Sequence, residues 1–153
     1  YIHVMKRVFF PGSFDPFTKG HESLVLKALD LFDEIIIGMG VNSTKSSMFP
    51  LEKRIDHIES LFNNEVKVVS YDSLTINACK DLECTHLLRG LRDANDFEYE
   101  KSIALMNTEL SSFETVFMLS DNKYSFIASS IIRELYKNGS DISKFVTNFD
   151  KLT

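Results

Sequence analysis

Three short stretches of the chain carry the residue types that handle phosphate. The first is Pro11-Gly12-Ser13-Phe14-Asp15-Pro16-Phe17-Thr18-Lys19-Gly20-His21. Gly12 lets backbone approach a ligand closely, Ser13 supplies a hydroxyl, and Gly20-His21 opens a helical pattern. A helix N-terminus has unpaired N–H groups and a partial positive charge, so it attracts phosphate, and a histidine there can aim a ring donor at the same group. The second stretch is Leu88-Arg89-Gly90-Leu91-Arg92 followed by Asp96-Phe97-Glu98-Tyr99-Glu100. Two arginines around a glycine make a fork of donors matched to phosphate oxygens. The third is Tyr124-Ser125-Phe126-Ile127-Ala128-Ser129-Ser130, ahead of Ile131-Ile132-Arg133. Serines capping a helix offer hydroxyls and N–H groups to a second anion.

Each stretch has a plainer reading: a turn-rich loop, a solvated basic turn facing an acidic helix start, and a simple cap. Their co-occurrence favours a ligand. Neither the loop ending in Gly-Lys-Ser/Thr nor the Gly-x-Gly-x-x-Gly fingerprint is present, which disfavours a kinase-type loop and an ordinary dinucleotide site.

The elements around these stretches alternate. Arg7-Val8-Phe9-Phe10 reads as a buried strand ended by Pro11-Gly12. Leu24, Val25, Ala28, Leu29 and Phe32 recur at helical spacing within 20–32. Further strands are predicted over 34–41, 66–69, 85–88 and 115–119, and further helices over 51–62, 74–82, 93–110 and 129–137. The 93–110 helix has Phe97, Ile103, Ala104 and Met106 as its apolar members, and Asn138-Gly139 stops the 129–137 helix. A short helical stretch near 142–146 closes the chain. Strands separated by helices of these lengths imply a parallel sheet, and near-continuous apolar strands imply a sheet covered on both faces. Ligands of such sheets sit beyond the carboxyl ends of the strands, where all three stretches fall.

Composition narrows the partners. The 153 residues carry a formal net charge of -5, which disfavours nucleic acid as a partner and leaves room for a small anion beside clustered cations. Cys79 and Cys84 read as reduced packing residues, with no disulfide framework and no third or fourth ligand for zinc. No apolar run approaches the ~18 residues of a membrane span. Without a secretory leader pattern the expected location is the cytoplasm. Residues 1–4, ahead of Met5, read as an appended remnant, and residues 5–153 as one domain.

Gly12-Ser13-Phe14-Asp15-Pro16 followed by Gly20-His21 resembles the signature of the nucleotidylyltransferases whose loop carries two histidines or polar substitutes. Ser13 stands at the first of those positions and His21 at the second. The string from Arg89 to Glu100 is similar to that of one branch, the bacterial phosphopantetheine adenylyltransferase family. The resemblance runs from Lys6 to Phe145 and takes in Lys45 and the helix start Leu51-Glu52-Lys53-Arg54. It implies a Rossmann-like α/β fold, doubly wound, with a five-stranded parallel sheet and helices on both faces. It also implies transfer of the adenylyl group of ATP to 4′-phosphopantetheine, giving dephospho-coenzyme A and pyrophosphate.

Carried over position by position, the resemblance makes His21 the stabiliser of the transition state. It places Lys45 and Arg89 on the acceptor phosphate, with Ser13 on the acceptor and on ATP, and Thr75 along the pantetheine arm. Phe14, Gly90, Leu91, Arg92 and Glu100 are expected at the nucleotide, together with Tyr124, Ser125, Phe126, Ile127, Ala128, Ser129 and Ser130. Mg2+ is expected to arrive with ATP, coenzyme A to act as a product-like inhibitor, and the assembly to be a homohexamer. Ser13 replaces a threonine, Tyr124 a tryptophan, Ala128 a serine, and Thr75 an aliphatic residue of the commonest pattern. Two alternatives stay open: a sister nucleotidylyltransferase acting on nicotinate mononucleotide, glycerol phosphate or choline phosphate, and a catalytically silent nucleotide-binding module.

Overall fold

The structure, a computed structural model, describes residues 2–153. Tyr1, part of the expected remnant, lies outside them; of that segment His3 places its ring nitrogen 2.9 Å from the Asp33 carboxylate.

Five strands, β1 (Arg7–Gly12), β2 (Glu34–Gly40), β3 (Lys67–Tyr71), β4 (His86–Leu91) and β5 (Glu114–Leu119), form one sheet in the order β3-β2-β1-β4-β5, every neighbour parallel. The connecting helices are α1 (Lys19–Ala28), α2 (Leu51–Leu61), α3 (Thr75–Asp81) and α4 (Ala94–Ser111), with α5 (Ser129–Lys137) following β5. Strand alternation explains why both faces need covering, since successive side chains point to opposite sides. Val8, Phe10, Ile35, Ile37, Met39 and Leu88 pack with Leu24, Val25 and Ala28 of α1 and Ile58 of α2. Phe9, Ile36 and Leu87 pack on the other face with Ala78 and Cys79 of α3 and with Cys84. Both thiols are free and buried there. The progression of strands across the sheet reverses after β3, and with helices on both faces the sheet is doubly wound.

A third cluster lies outside the sheet. Phe49, Ile127, Ile132, Ile142, Val146 and Leu152 gather α5 and the C-terminal segment against the start of α2. The helix expected at 142–146 is instead a turn, and a short 3-10 helix forms at Phe149–Leu152. Ile142 and Val146 still reach the cluster, so the apolar spacing is satisfied without helical hydrogen bonding. Gly139 at φ +81° ends α5 as expected.

Other boundaries differ as well, β3 running from Lys67 to Tyr71 instead of over 66–69. β1 continues through Pro11-Gly12 and β4 through Leu91, because their neighbours β2 and β5 go on pairing there. The first helix closes at Ala28 rather than reaching Phe32. In α4 the apolar residues do not form the core face: Phe97, Ile103 and Met106 are exposed, and the buried residue is Glu100. That helix is set on the sheet by a charged residue.

Candidate active site

The sheet parts where the site lies. β1 pairs with β2 up to Gly12, and β4 with β5 up to Leu91. Between β1 and β4, however, pairing stops after Val8↔His86 and Phe9↔Leu87. The carboxyl ends of these two central strands diverge, and a crevice opens at the point where strand order reverses. Two cavities of about 360 Å³ each occupy it and share a wall made of Pro11, Gly12, Arg89 and Glu100.

Arg89 spans the gap. Its Nε and Nη2 donate to the two Glu100 oxygens at 2.8 and 2.6 Å, and its Nη1 donates to the Pro11 carbonyl at 2.8 Å. A guanidinium has five N–H donors, so two remain for a ligand. The fork-to-fork pair fixes the plane of the guanidinium, as bidentate geometry does. Arg92, more exposed, has its Nε 3.1 Å from Asp96, whose carboxylate also accepts the Arg92 backbone N–H at 3.0 Å.

His21 lies in the first turn of α1. Its Nδ1 accepts the Thr18 backbone N–H at 3.0 Å. With Nδ1 acting as an acceptor, the neutral ring carries its proton on Nε2, the other nitrogen. Phe14 and Phe17 lie 5.1 and 5.2 Å away, ring centre to ring centre, with Phe10 behind. This enclosure drives the pKa down to about 4, first by desolvation and then by the positive charges of Arg92 and Arg89. The ring is therefore a neutral N–H donor at physiological pH.

Gly12 is required by its neighbour: a Cβ there would lie 2.7 Å from the Phe14 ring. Phe14 itself sits at φ 46°, and a cis peptide joins Asp15 to Pro16. The loop is bolted from outside. Asp15, buried, accepts the N–H groups of Met48 and Phe49 at 2.7 and 2.9 Å. Arg54 donates to the carbonyls of Phe49 at 3.0 Å and Ser13 at 2.5 Å. Arg133 donates to the Asp15 carbonyl, and the Ser129 hydroxyl to that of Pro16.

Most expected residues converge. The first cavity is lined by Ser13, Phe14, His21, Arg89, Gly90, Leu91 and Arg92 from α1 and the central strands with the loops that follow them, by Glu100 of α4, and by Tyr124, Ile127, Ala128, Ser129 and Ser130 leading into α5. Ala128, with no side-chain acceptor, is the cap of α5, so Ser129 and Ser130 are its first helical residues rather than caps. The N-termini of α1 and α5 thus face one cavity together with two arginines, an arrangement that favours a polyanion. The second cavity is lined by Thr75, Tyr71, Leu74, Ile76, Ile103, Ala104 and Asn107, with Arg89 and Glu100 at its head. Tyr71 and Thr75 share a hydroxyl–hydroxyl hydrogen bond of 3.0 Å.

Three expected residues stand apart. Ser125 is spent on the Asn122 carbonyl and Phe126 is exposed against Phe145; neither lines a cavity. Lys45 occupies an exposed turn, closed by its own N–H to the Asn42 carbonyl at 3.2 Å, and lines neither cavity. No role for Asp15, Arg54 or Arg133 is expected from the sequence. The signal for the first was one carboxylate between Phe14 and Phe17 in an otherwise apolar run.

A split parallel sheet with helix N-termini around a histidine and two arginines defines a nucleotidyltransferase, and the family model described as cytidylyltransferase-like matches residues 9–135. The chain is 49% identical to a curated phosphopantetheine adenylyltransferase of Flavobacterium psychrophilum, over 93% of this chain and 95% of that one. It is 44% identical to the phosphopantetheine adenylyltransferase of Bacteroides thetaiotaomicron, over the same shares. It belongs to the phosphopantetheine adenylyltransferase family. A solved structure provisionally described as a nicotinate-nucleotide adenylyltransferase, from Vibrio parahaemolyticus, superposes with a TM-score of 0.67 over 97% of each chain. At 18% identity that likeness is one of fold.

Proposed function

We propose that this chain transfers the adenylyl group of ATP to 4′-phosphopantetheine, releasing pyrophosphate and dephospho-coenzyme A, the penultimate step of coenzyme A formation. The observation that carries this is the pair of cavities meeting at one wall. The first is set for a polyanion. The second has an arginine at its head and a lining that mixes apolar side chains with hydroxyl and amide groups, which suits a phosphate bearing a long amide arm.

In this reading the acceptor phosphate, ionised at neutral pH, attacks the α-phosphorus of ATP in line. Its oxygen forms the new P–O bond while the bond to the bridging oxygen breaks, and pyrophosphate leaves. No general base and no covalent intermediate are required, so the task is alignment and charge neutralisation. His21 Nε2–H donates to the α-phosphate. Arg92 and the N-termini of α1 and α5 receive the leaving phosphates, Gly90 and Leu91 border the nucleotide, and the stretch from Tyr124 to Ser130 closes over it. Arg89, with Lys45 swung in from its turn, holds the acceptor phosphate, Ser13 contacts it, and Thr75 borders the arm. Glu100 acts by gripping Arg89.

Mg2+ would arrive on the triphosphate and neutralise part of its charge. Among the described residues no group of three or more His, Cys, Asp or Glu side chains converges, and Asp96 and Glu100 are held by arginines. The chain would therefore leave the metal to the nucleotide. We further infer a single catalytic domain over 5–153, a cytoplasmic location, inhibition by coenzyme A, and a homohexamer, for which the exposed Tyr99, Leu105, Met106 and Leu110 of α4 supply apolar surface. Among the described residues no helix is long and apolar enough to cross a membrane.

The test is pyrophosphate release with Mg2+ and ATP over a panel of acceptors. 4′-Phosphopantetheine should be preferred by orders of magnitude over nicotinate mononucleotide, and over glycerol phosphate or choline phosphate supplied with CTP. Equal or better turnover with any of these would overturn the assignment.

A further inference from the structure

The turn carrying Lys45 is free at its tip and fixed at its base. At the tip, residues 43–47 are exposed, and the contacts are local, such as the Thr44 N–H to the Asn42 side-chain oxygen at 3.0 Å. At the base, Asp15 and Arg54 form a two-sided clamp. The Asp15 carboxylate takes both successive N–H groups of Met48 and Phe49, and Arg54 ties the Phe49 carbonyl to that of Ser13. Both side chains are more than nine-tenths buried. Phe49 beside them is anchored in the C-terminal cluster, its ring 5.1 Å from that of Tyr136. One end of this clamp lies on the loop that carries Ser13 and leads to His21, and the other lies three residues beyond Lys45.

We propose that Asp15 and Arg54 are positioning residues for the transfer reaction: they hold the root of the Lys45 turn in register with the Ser13–His21 loop. Lys45 can then reach the acceptor phosphate at the wall shared by the two cavities. The physical reason is entropic. A lysine on a free turn samples many positions, and each immobilised rotamer-rich side chain or loop residue costs free energy on binding. A root fixed by three charge-assisted hydrogen bonds lowers that cost by confining the turn before substrate arrives. The inference rests on the assignment of Lys45 to the acceptor phosphate.

A double-mutant cycle tests it, reading kcat/KM for 4′-phosphopantetheine and the melting temperature of every variant. Asp15→Asn keeps the shape but offers one oxygen to two N–H groups, and should lower kcat/KM about tenfold, a size common for coupled neighbours. Lys45→Ala should lower it further still. In the Lys45→Ala background, Asp15→Asn should change kcat/KM by no more than about twofold, because the clamp acts through the lysine. Should Asp15→Asn fail to fold, Arg54→Lys, which keeps the charge but cannot bridge two carbonyls as a fork, takes its place in the cycle. Losses that multiply in the double variant would overturn the positioning role. A Lys45→Ala enzyme with unchanged kcat/KM would instead remove Lys45 from the acceptor site, so the two failures are distinguishable.

Discussion

Glu100→Gln gives the sharpest test of what the buried acid in α4 does. Glu100 makes two short hydrogen bonds to Arg89 and is itself almost fully buried. The glutamine keeps one oxygen for one of these bonds, now assisted by the arginine charge alone, and sets an NH2 against the other guanidinium N–H, which loses its acceptor. Hydrogen bonds to charged groups contribute about 1.5–3 kcal/mol each and neutral ones about 1. The Arg89 side chain is 35% exposed, so solvent compensates for part of the loss. A net cost of about 1.5–2 kcal/mol to the guanidinium orientation remains, equivalent to roughly 10–30-fold in an equilibrium constant. Because Arg89 is assigned to the acceptor, the KM for 4′-phosphopantetheine should rise by that factor while the KM for ATP changes little. Initial-rate kinetics with each substrate varied at saturating partner reads both. If the KM for ATP rose and that for the acceptor held, Glu100 would be a nucleotide contact in its own right, and the gripping role would be refuted.

His21→Ala should lower kcat about a hundredfold or more with a smaller change in ATP affinity, as loss of one transition-state donor does; near-normal kcat would remove the ring from the mechanism. In the free protein the His21 ring should titrate near pH 4 in a proton NMR pH series, and a midpoint at pH 6 or above would contradict the enclosed neutral donor. Gly12→Ala forces a methyl against the Phe14 ring, 2.7 Å from one carbon, and overpacking of this kind should cost about 1–3 kcal/mol, read as a lower melting temperature. His57 is fully buried, with Nε2 2.7 Å from the Thr147 carbonyl and Nδ1 unpartnered; desolvation, ahead of the opposing hydrogen bond, lowers its pKa. Its folded pKa lies below the unfolded value, so its contribution is fully present above about pH 6.5 and is lost as pH falls through the folded pKa. His57→Asn should flatten stability against pH across that acid range in denaturant titrations, and an unchanged slope would exclude it.

The sheet was legible because its strands are the near-continuous apolar runs that two covered faces demand, and residues such as Phe9 and Ile36 differ from their neighbours only in which face they take. Strand ends were less legible. Pro11-Gly12 and Arg89-Gly90 look like turns locally, and only their partners on β2 and β5 keep them extended. The apolar residues of α4 were misplaced because Phe97, Ile103, Ala104 and Met106 do not share one helical stripe; Glu100, the residue that faces inward, was chosen by its arginine and not by hydropathy. At the site, the convergence of His21, Arg89 and the start of α5 on one cavity could be read because their stretches follow strands or open helices, and such positions gather at the carboxyl ends of a parallel sheet. Arg54 and Arg133 could not, since each binds backbone, and a backbone carbonyl leaves no trace in the residue letters; Asp15 left only its place as one carboxylate in an apolar run.

The geometry also explains why a half-buried histidine serves here without a carboxylate behind it. A carboxylate on Nδ1 would raise the ring's pKa and favour the imidazolium, which a proton-shuttling enzyme can exploit. In this chain Nδ1 meets a backbone N–H instead, and that donor can only stabilise the lone pair of the neutral form. Three phenylalanines and two cationic neighbours act in the same direction. Every local influence therefore holds the proton on Nε2 and keeps a second proton off the ring. That choice suits the proposed reaction, whose nucleophile would arrive already ionised: a base has nothing to remove, and a fixed N–H dipole can stabilise charge as it builds on the α-phosphate without reorganising. The parted strands supply the rest, since only where β1 and β4 stop pairing can Arg89 reach across to the Pro11 carbonyl and stand in the wall between the two cavities.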